Sequence, residues 1–135
     1  MKPPSLPLKL MREEAAIRQI EAAIAALECG EFDVAITLAG AAEGMFDLRK
    51  DGAIFDGLAG AERALERMCR KEWIALLNME RDWLKHSSNT IEPISIELFD
   101  AALMIARACS KVVKWTARME EFRHWYVSWL KERSV

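Results

Sequence analysis

The sequence has few of the residues that mark metal sites, disulfide frameworks or membrane spans. Its three cysteines, Cys29, Cys69 and Cys109, are far apart and form no Cys-x-x-Cys pair, so neither a zinc ribbon nor a thioredoxin-type site can be recognised. We expect the thiols to be reduced and mostly buried, which favours a cytoplasmic protein. No run of about eighteen uninterrupted apolar residues occurs, and prolines interrupt the start of the chain, so neither a membrane span nor a signal peptide is expected.

The sequence also lacks an excess of either sign of charge, because 19 basic and 21 acidic side chains give a formal net charge of -2. This balance predicts neither a polybasic membrane anchor nor a surface coated by nucleic acid, so either partner would have to be met by a local patch. With 135 residues, 52% of them hydrophobic, the chain has the size of one domain with its own core. We expect an extended arm over residues 1–7, which hold three of the four prolines, and one domain over residues 8–135.

Apolar residues recur at helical rather than strand spacing, which predicts an all-α fold, an up-and-down bundle of four to five helices. The first helix carries an apolar stripe and ends at Gly30. The second, from about residue 32 to 50, is apolar nearly all round, as expected for the centre of a bundle, and contains Gly40 and Gly44 one turn apart. A third begins near Leu58. Its predicted inward-facing side chains are Leu65, Met68, Leu76 and Leu77.

Neither glycine nor proline occurs after Ser95, and apolar residues keep a near-heptad spacing as far as Trp129. An unbroken helix here would be roughly 50 Å long at 1.5 Å per residue, which is too long for a compact bundle of this size. It therefore either breaks near Thr116 or reaches over a partner subunit. The apolar and aromatic residues of 115–130 predict a homodimer. Base stacking on these rings is the alternative to core or dimer packing.

Histidine is scarce too, and one of the two, His86, is separated by four residues from an arginine, in Arg81-Asp82-Trp83-Leu84-Lys85-His86. An arginine followed by a polar residue and, after this interval, by a histidine resembles the signature of the HEPN superfamily. The resemblance in helical order spans roughly residues 10–117. It implies a small bundle of four to five helices, often dimeric and in many members a metal-independent endoribonuclease of a toxin or defence system. RNA, and a cognate antitoxin or other protein, are then the expected partners.

The resemblance implies catalytic roles for Arg81, Asp82 and His86. An imidazole can take a proton from a ribose 2′-hydroxyl or give one to a leaving oxygen. A guanidinium fits phosphate oxygens, so the implied product is a 2′,3′-cyclic phosphate formed with no metal or cofactor. On a regular helix Arg81 and His86 would lie about 140° apart. The helix must therefore end between them, or two protomers must bring their copies together. In the alternative interpretation His86 caps a helix and Arg81 pairs with a carboxylate.

Two further sets of residues are candidates for the site. Glu43 lies within the apolar second helix, where a buried carboxylate needs a partner, and Arg81 is a reasonable one. The alternative places Glu43 at a solvated helix edge. Basic residues at spacings of 4, 3 and 4 also form a candidate RNA-binding stripe, unless it is simply a solvated face. The stripe consists of Arg107, Lys111, Lys114 and Arg118.

Two functions therefore remain open. The first is a HEPN-like homodimer that cleaves or binds RNA. The second is a non-catalytic helical adaptor whose aromatic C-terminal helix docks a partner protein. They differ in whether Arg81, His86 and Glu43 meet in an open cleft. A second arginine–histidine pair, Arg118 and His124, lies within an uninterrupted helical run and is the weaker match.

Overall fold

The computed structural model describes residues 1–46, 54–86 and 92–134. Within these ranges every regular element is an α-helix, so the predicted all-α class is confirmed. The helices are α1 Arg12–Glu28, α2 Phe32–Gly44, α3 Ile54–Ala59, α4 Glu62–Leu65, α5 Arg70–Leu77, α6 Met79–Lys85, α7 Leu98–Cys109 and α8 Ala117–Arg133. No helix in these parts of the chain combines the length and the apolar composition that crossing a membrane requires.

Helices α1, α2 and α7 supply most of the core, and small side chains let them approach closely. The predicted stripe of α1 is buried at Ile20, Ile24 and Leu27. Gly30 has a φ of 75°, a conformation that suits glycine and allows the chain to turn into α2 after the last residue of α1. Helix α2 buries Ala35, Ile36, Ala39, Gly40, Ala42 and Glu43. It ends at Gly44, and residues 47–50 of the longer predicted helix lie outside the described residues.

The predicted third helix is instead a series of short segments, α3 to α6. Gly60 separates α3 from α4, Cys69 immediately precedes α5, and Asn78 is the boundary between α5 and α6. Each boundary turns the chain, so the apolar positions do not form one continuous face. As a consequence Leu65 and Leu76 are exposed, and their predicted inward placement was wrong.

The long C-terminal run breaks where a polar residue can cap a new helix. Helix α7 ends at Cys109 and α8 begins at Ala117. The hydroxyl oxygen of Thr116 accepts a hydrogen bond from the backbone N–H of Met119 at 3.3 Å, which satisfies one of the free N–H groups of the first turn. The predicted break near Thr116 is therefore present, and it occurs without glycine or proline.

Candidate functional site

A buried ion pair between α2 and α7 forms the centre of the site. Glu43 is 3% exposed and Arg107 is 1% exposed. The Nε atom of Arg107 donates to Oε2 of Glu43 at 2.9 Å, and its Nη2 atom donates to Oε1 at 2.7 Å. This two-bond geometry is the strongest pairing that a guanidinium and a carboxylate can form. The alternative in which Glu43 reaches solvent was wrong.

Arg107 also connects this pair to the junction of α5 and α6. Its Nη1 atom donates to the carbonyl oxygen of Leu77 at 3.1 Å, and Nη2 donates to Oδ1 of Asn78 at 2.8 Å. Asn78 is itself buried. One arginine therefore fixes the start of α6 relative to α2 and α7, and α6 carries Arg81 and Asp82.

Arg81 is the second arginine at the Glu43 carboxylate. Its Nη1 atom donates to Oε1 of Glu43 at 3.4 Å, and its Nη2 atom donates to Oδ1 of Asp82 at 3.4 Å. The predicted pairing of Arg81 with Glu43 is thus present, although Arg107 makes the shorter bonds. The Arg81 side chain is 26% exposed. Its buried Nε atom has no hydrogen-bond partner among the described residues.

Gly40 makes room for Arg81 on α2. A Cβ atom at this position would lie 2.7 Å from Cδ of Arg81 and 2.9 Å from its Cγ, which is closer than carbon atoms can approach without displacement. The glycine therefore lets the arginine side chain cross the surface of α2 towards Glu43. At Gly44, one turn later, an added Cβ would meet no heavy atom within 4 Å among the described residues.

A cleft of about 410 Å³ lies beside Arg81, between α2 and α6. Arg81 and Lys85 contribute the charges of its lining, and Lys85 is one helical turn beyond Arg81 on α6. The remaining lining residues are Thr37, Gly40, Ala41 and Gly44. The volume lies within the usual range of about 300–1,000 Å³ for small-molecule sites. A cleft with two cations and a floor of small residues is suited to an anionic ligand.

His86 lies outside the lining of this cleft. It immediately follows α6, with φ -116° and ψ 140°, and its backbone N–H donates to the carbonyl oxygen of Asp82 at 2.9 Å. The side chain is exposed. The helix therefore ends between Arg81 and His86, which is one of the two arrangements that the sequence left open. Arg81 contacts both Glu43 and Asp82, whereas in the described parts of the chain no hydrogen bond or ion pair joins the His86 side chain to these three residues.

The expectation of a continuous exposed basic stripe was wrong. Arg107 and Lys111 are buried, and the Nζ atom of Lys111 donates to the backbone carbonyl oxygen of Glu43 at 3.3 Å. Lys114 is exposed, and Arg118 pairs with Glu28 at 3.1 Å. The prediction assumed that all four residues lie on one continuous helix. Because α7 ends at Cys109 and α8 begins at Ala117, the four residues do not share one helical face. Arg107 was predicted as an RNA-binding residue and not as the partner of Glu43, although a single arginine within the apolar run 104–109 is a signal for a buried ion pair.

The thiols differ from expectation as well. Cys29 and Cys69 are exposed, and Cys109 is buried, so the prediction that most are buried was wrong. Burial raises the pKa of the Cys109 thiol to about 12. In the described ranges, no group of three or more His, Cys, Asp or Glu side chains is placed to hold a metal ion.

No protein-family model, curated protein or solved structure matches this chain significantly.

Proposed function

We propose that this chain is a HEPN-like up-and-down helical bundle that binds RNA at the Arg81 cleft and cleaves it without a metal. The observation that carries the proposal is the state of Arg81. Among the residues that the structure describes, its guanidinium has long hydrogen bonds to Glu43 and Asp82, each of 3.4 Å, and it faces a cleft that also contains Lys85. A guanidinium in this state gains hydrogen bonds when a phosphate binds.

Competition for Glu43 explains why Arg81 is available. Arg107 bonds to both carboxylate oxygens at 2.9 and 2.7 Å, whereas Arg81 contacts one of them at 3.4 Å. Glu43 therefore orients the Arg81 guanidinium without satisfying all of its hydrogen-bond donors, and Asp82 accepts a hydrogen bond from the Nη2 atom. A phosphate would replace these long contacts with short, charge-assisted ones.

In the proposed reaction the ribose 2′-hydroxyl attacks the adjacent phosphorus, and the bond from phosphorus to the 5′-oxygen breaks. His86 takes the proton of the 2′-hydroxyl, and the leaving 5′-oxygen receives a proton from water. The hydroxide formed from that water takes the proton of the His86 imidazolium, which regenerates the neutral histidine. Arg81 stabilises the charge that develops on the phosphate oxygens. The products are a 2′,3′-cyclic phosphate and a 5′-hydroxyl. RNA lying across the end of α6, or a second protomer, would bring His86 and Arg81 to the same phosphate.

The test is cleavage of a fluorescent single-stranded RNA by the purified chain, with and without EDTA. We expect cleavage that EDTA does not change and that His86→Ala and Arg81→Ala abolish. His124→Ala is the matched control, because His124 is an exposed histidine on α8 and should leave the activity unchanged. Absence of cleavage and of RNA binding by the wild type, or equal loss in His86→Ala and His124→Ala, would overturn the proposal.

A pair of glycine variants tests whether the position of Arg81 matters. Gly40→Ala pushes the Arg81 side chain away from Glu43, while Gly44→Ala adds the same methyl group to the same cleft without meeting Arg81. We expect Gly40→Ala to lose RNA binding and Gly44→Ala to keep most of it. The stability of each should change by no more than about 1 kcal/mol, because alanine favours the helix by a similar amount. Equal RNA binding by both variants would show that the placement of Arg81 is irrelevant.

A second candidate function, a non-catalytic adaptor, is favoured by the aromatic side chains of α8. Trp125 stacks on Trp129 with ring centroids 5.5 Å apart and remains 39% exposed. Exposed aromatic rings of this kind are enriched in protein interfaces. A wild-type chain that forms a stable complex or dimer but neither binds nor cleaves RNA would favour this function over the first.

A further inference from the structure

An apolar groove lies between the C-terminal end of α1, the start of α2 and the aromatic face of α8. It has a volume of about 540 Å³. Its apolar and aromatic walls are formed by Ile24, Leu27, Phe32, Leu98, Phe122 and Trp125. We call this cavity the α1–α8 groove. It lies apart from the Arg81 cleft and shares no lining residue with it.

The segment before α1, residues 1–11, has the complementary character. All eleven residues are exposed, and Leu6 and Leu8 are 87% and 72% exposed. In an extended chain Leu6, Leu8 and Leu10 lie on the same side, because side chains alternate. Pro7 restricts its own φ and favours an extended conformation at Leu6. We call residues 1–11 the N-terminal segment.

We infer that the α1–α8 groove binds the N-terminal segment of a second copy of this chain, so that two protomers exchange segments in a symmetric dimer. Leucines on one side of an extended, proline-restricted segment are well suited to a groove with aromatic walls. Exchange would bury both the exposed leucines and Trp125. The inference does not depend on RNA cleavage, since neither surface includes a residue of the Arg81 cleft.

The protomer's own N-terminal segment lies outside the groove. None of residues 1–11 lines it, and Leu6 and Leu8 remain 87% and 72% exposed. The groove of each protomer is therefore open to the N-terminal segment of another copy.

The charges of the two surfaces also match. The N-terminal segment contains Lys2 and Lys9 and no acidic residue. Glu28 and Glu121 line the groove together with one basic residue, Arg118, which pairs with Glu28 at 3.1 Å. A segment with two positive charges would thus bind beside two carboxylates, which favours correct orientation and rapid association.

The first test is the mass in solution at tens of micromolar, measured by sedimentation equilibrium. We expect a dimer for the wild type. Trp125→Ser and the double variant Leu6→Ser/Leu8→Ser should each raise the dimer dissociation constant by roughly 100-fold, as for a residue at the centre of an interface. Trp83→Ser and Leu76→Ser are matched controls, because both residues are similarly exposed but lie outside the groove and the segment. Both controls should remain dimeric.

Mixing the two weakened variants identifies the occupant. Trp125→Ser keeps an intact segment, and Leu6→Ser/Leu8→Ser keeps an intact groove, so a mixture restores one of the two exchanged contacts. We expect a heterodimer that is tighter than either homodimer. A monomeric wild type, a dimer that survives either variant, or a mixture that associates no better than its components would each overturn the inference.

Discussion

Removing the charge of Glu43 should destabilise the fold more than most single substitutions. Glu43 and Arg107 are both almost fully buried and joined by two short hydrogen bonds. Breaking such a pair from one side leaves a guanidinium in the interior without its carboxylate, which typically costs about 3–5 kcal/mol. The total stability of a domain is about 5–15 kcal/mol, so Glu43→Ala should lose about a fifth or more of it.

Glu43→Gln separates charge from volume. The amide keeps the size of the side chain but replaces one oxygen with an N–H donor that faces the donors of Arg107. If charge dominates, Gln should cost nearly as much as Ala. If filling the space dominates, Gln should be almost neutral. We expect the first result, because the two shortest bonds of Glu43 go to a positively charged group.

Urea unfolding, followed by tryptophan fluorescence and circular dichroism, measures these changes. The matched control is Glu28→Gln, since Glu28 forms an ion pair of similar length with Arg118 at 3.1 Å but its side chain is 63% exposed. An exposed pair contributes less than about 1 kcal/mol, so this control should unfold nearly as the wild type does. If Glu43→Gln and Glu28→Gln lose the same free energy of unfolding, the buried pair does not hold α2 and α7 together as argued.

Three smaller predictions concern the thiols and the break before α8. A thiol reagent at neutral pH should label Cys29 and Cys69 rapidly and Cys109 only on unfolding, because only Cys109 is buried; rapid labelling of all three would contradict its burial. Since burial raises the pKa of Cys109 from 9.0 to about 12, the native state keeps its proton while the unfolded state loses it. The contribution of Cys109 to the free energy of unfolding should therefore be constant below about pH 9 and then fall by about 1.4 kcal/mol per pH unit up to about pH 12. Urea unfolding at a series of pH values measures this decline, which should vanish in Cys109→Ala. Thr116→Ala should lower the free energy of unfolding by about 1 kcal/mol through loss of the cap to Met119, whereas Thr116→Ser should retain it; equal loss in both would assign another role to Thr116.

Features that depend on local sequence were predictable. The stripe of α1 and the glycine after it follow from helical spacing and from the freedom of glycine at positive φ. The break near Thr116 follows from length, because an unbroken helix would have outgrown the domain. Each of these features depends only on residues that are close to it in the sequence. The division into α3 to α6 was not predictable in this way, since its apolar residues are compatible with one continuous helix.

Only one of the two arginine partners of Glu43 was predictable from the sequence. A carboxylate in an apolar helix needs a cation, and Arg81 was a correct partner. The stronger partner, Arg107, is 64 residues away in the chain, and its spacing with other basic residues favoured an exposed stripe. Periodicity gives the face on which a side chain lies, but it does not say which face is covered by another helix. Burial of Arg107 depends on the packing of α7 against α2 and on the α5–α6 junction.

The two arginine–histidine pairs of this chain have the same residue types in different surroundings. Arg118 pairs with the exposed Glu28, and His124 lies within α8. Arg81 contacts a buried carboxylate and faces a cleft, and the helix that carries it ends just before His86. Spacing alone cannot rank the pairs, but only the first combines a fixed, partly satisfied guanidinium with a histidine beyond a helix end. A reaction that needs both groups should therefore depend on the first pair and ignore the second, which makes the chain its own control.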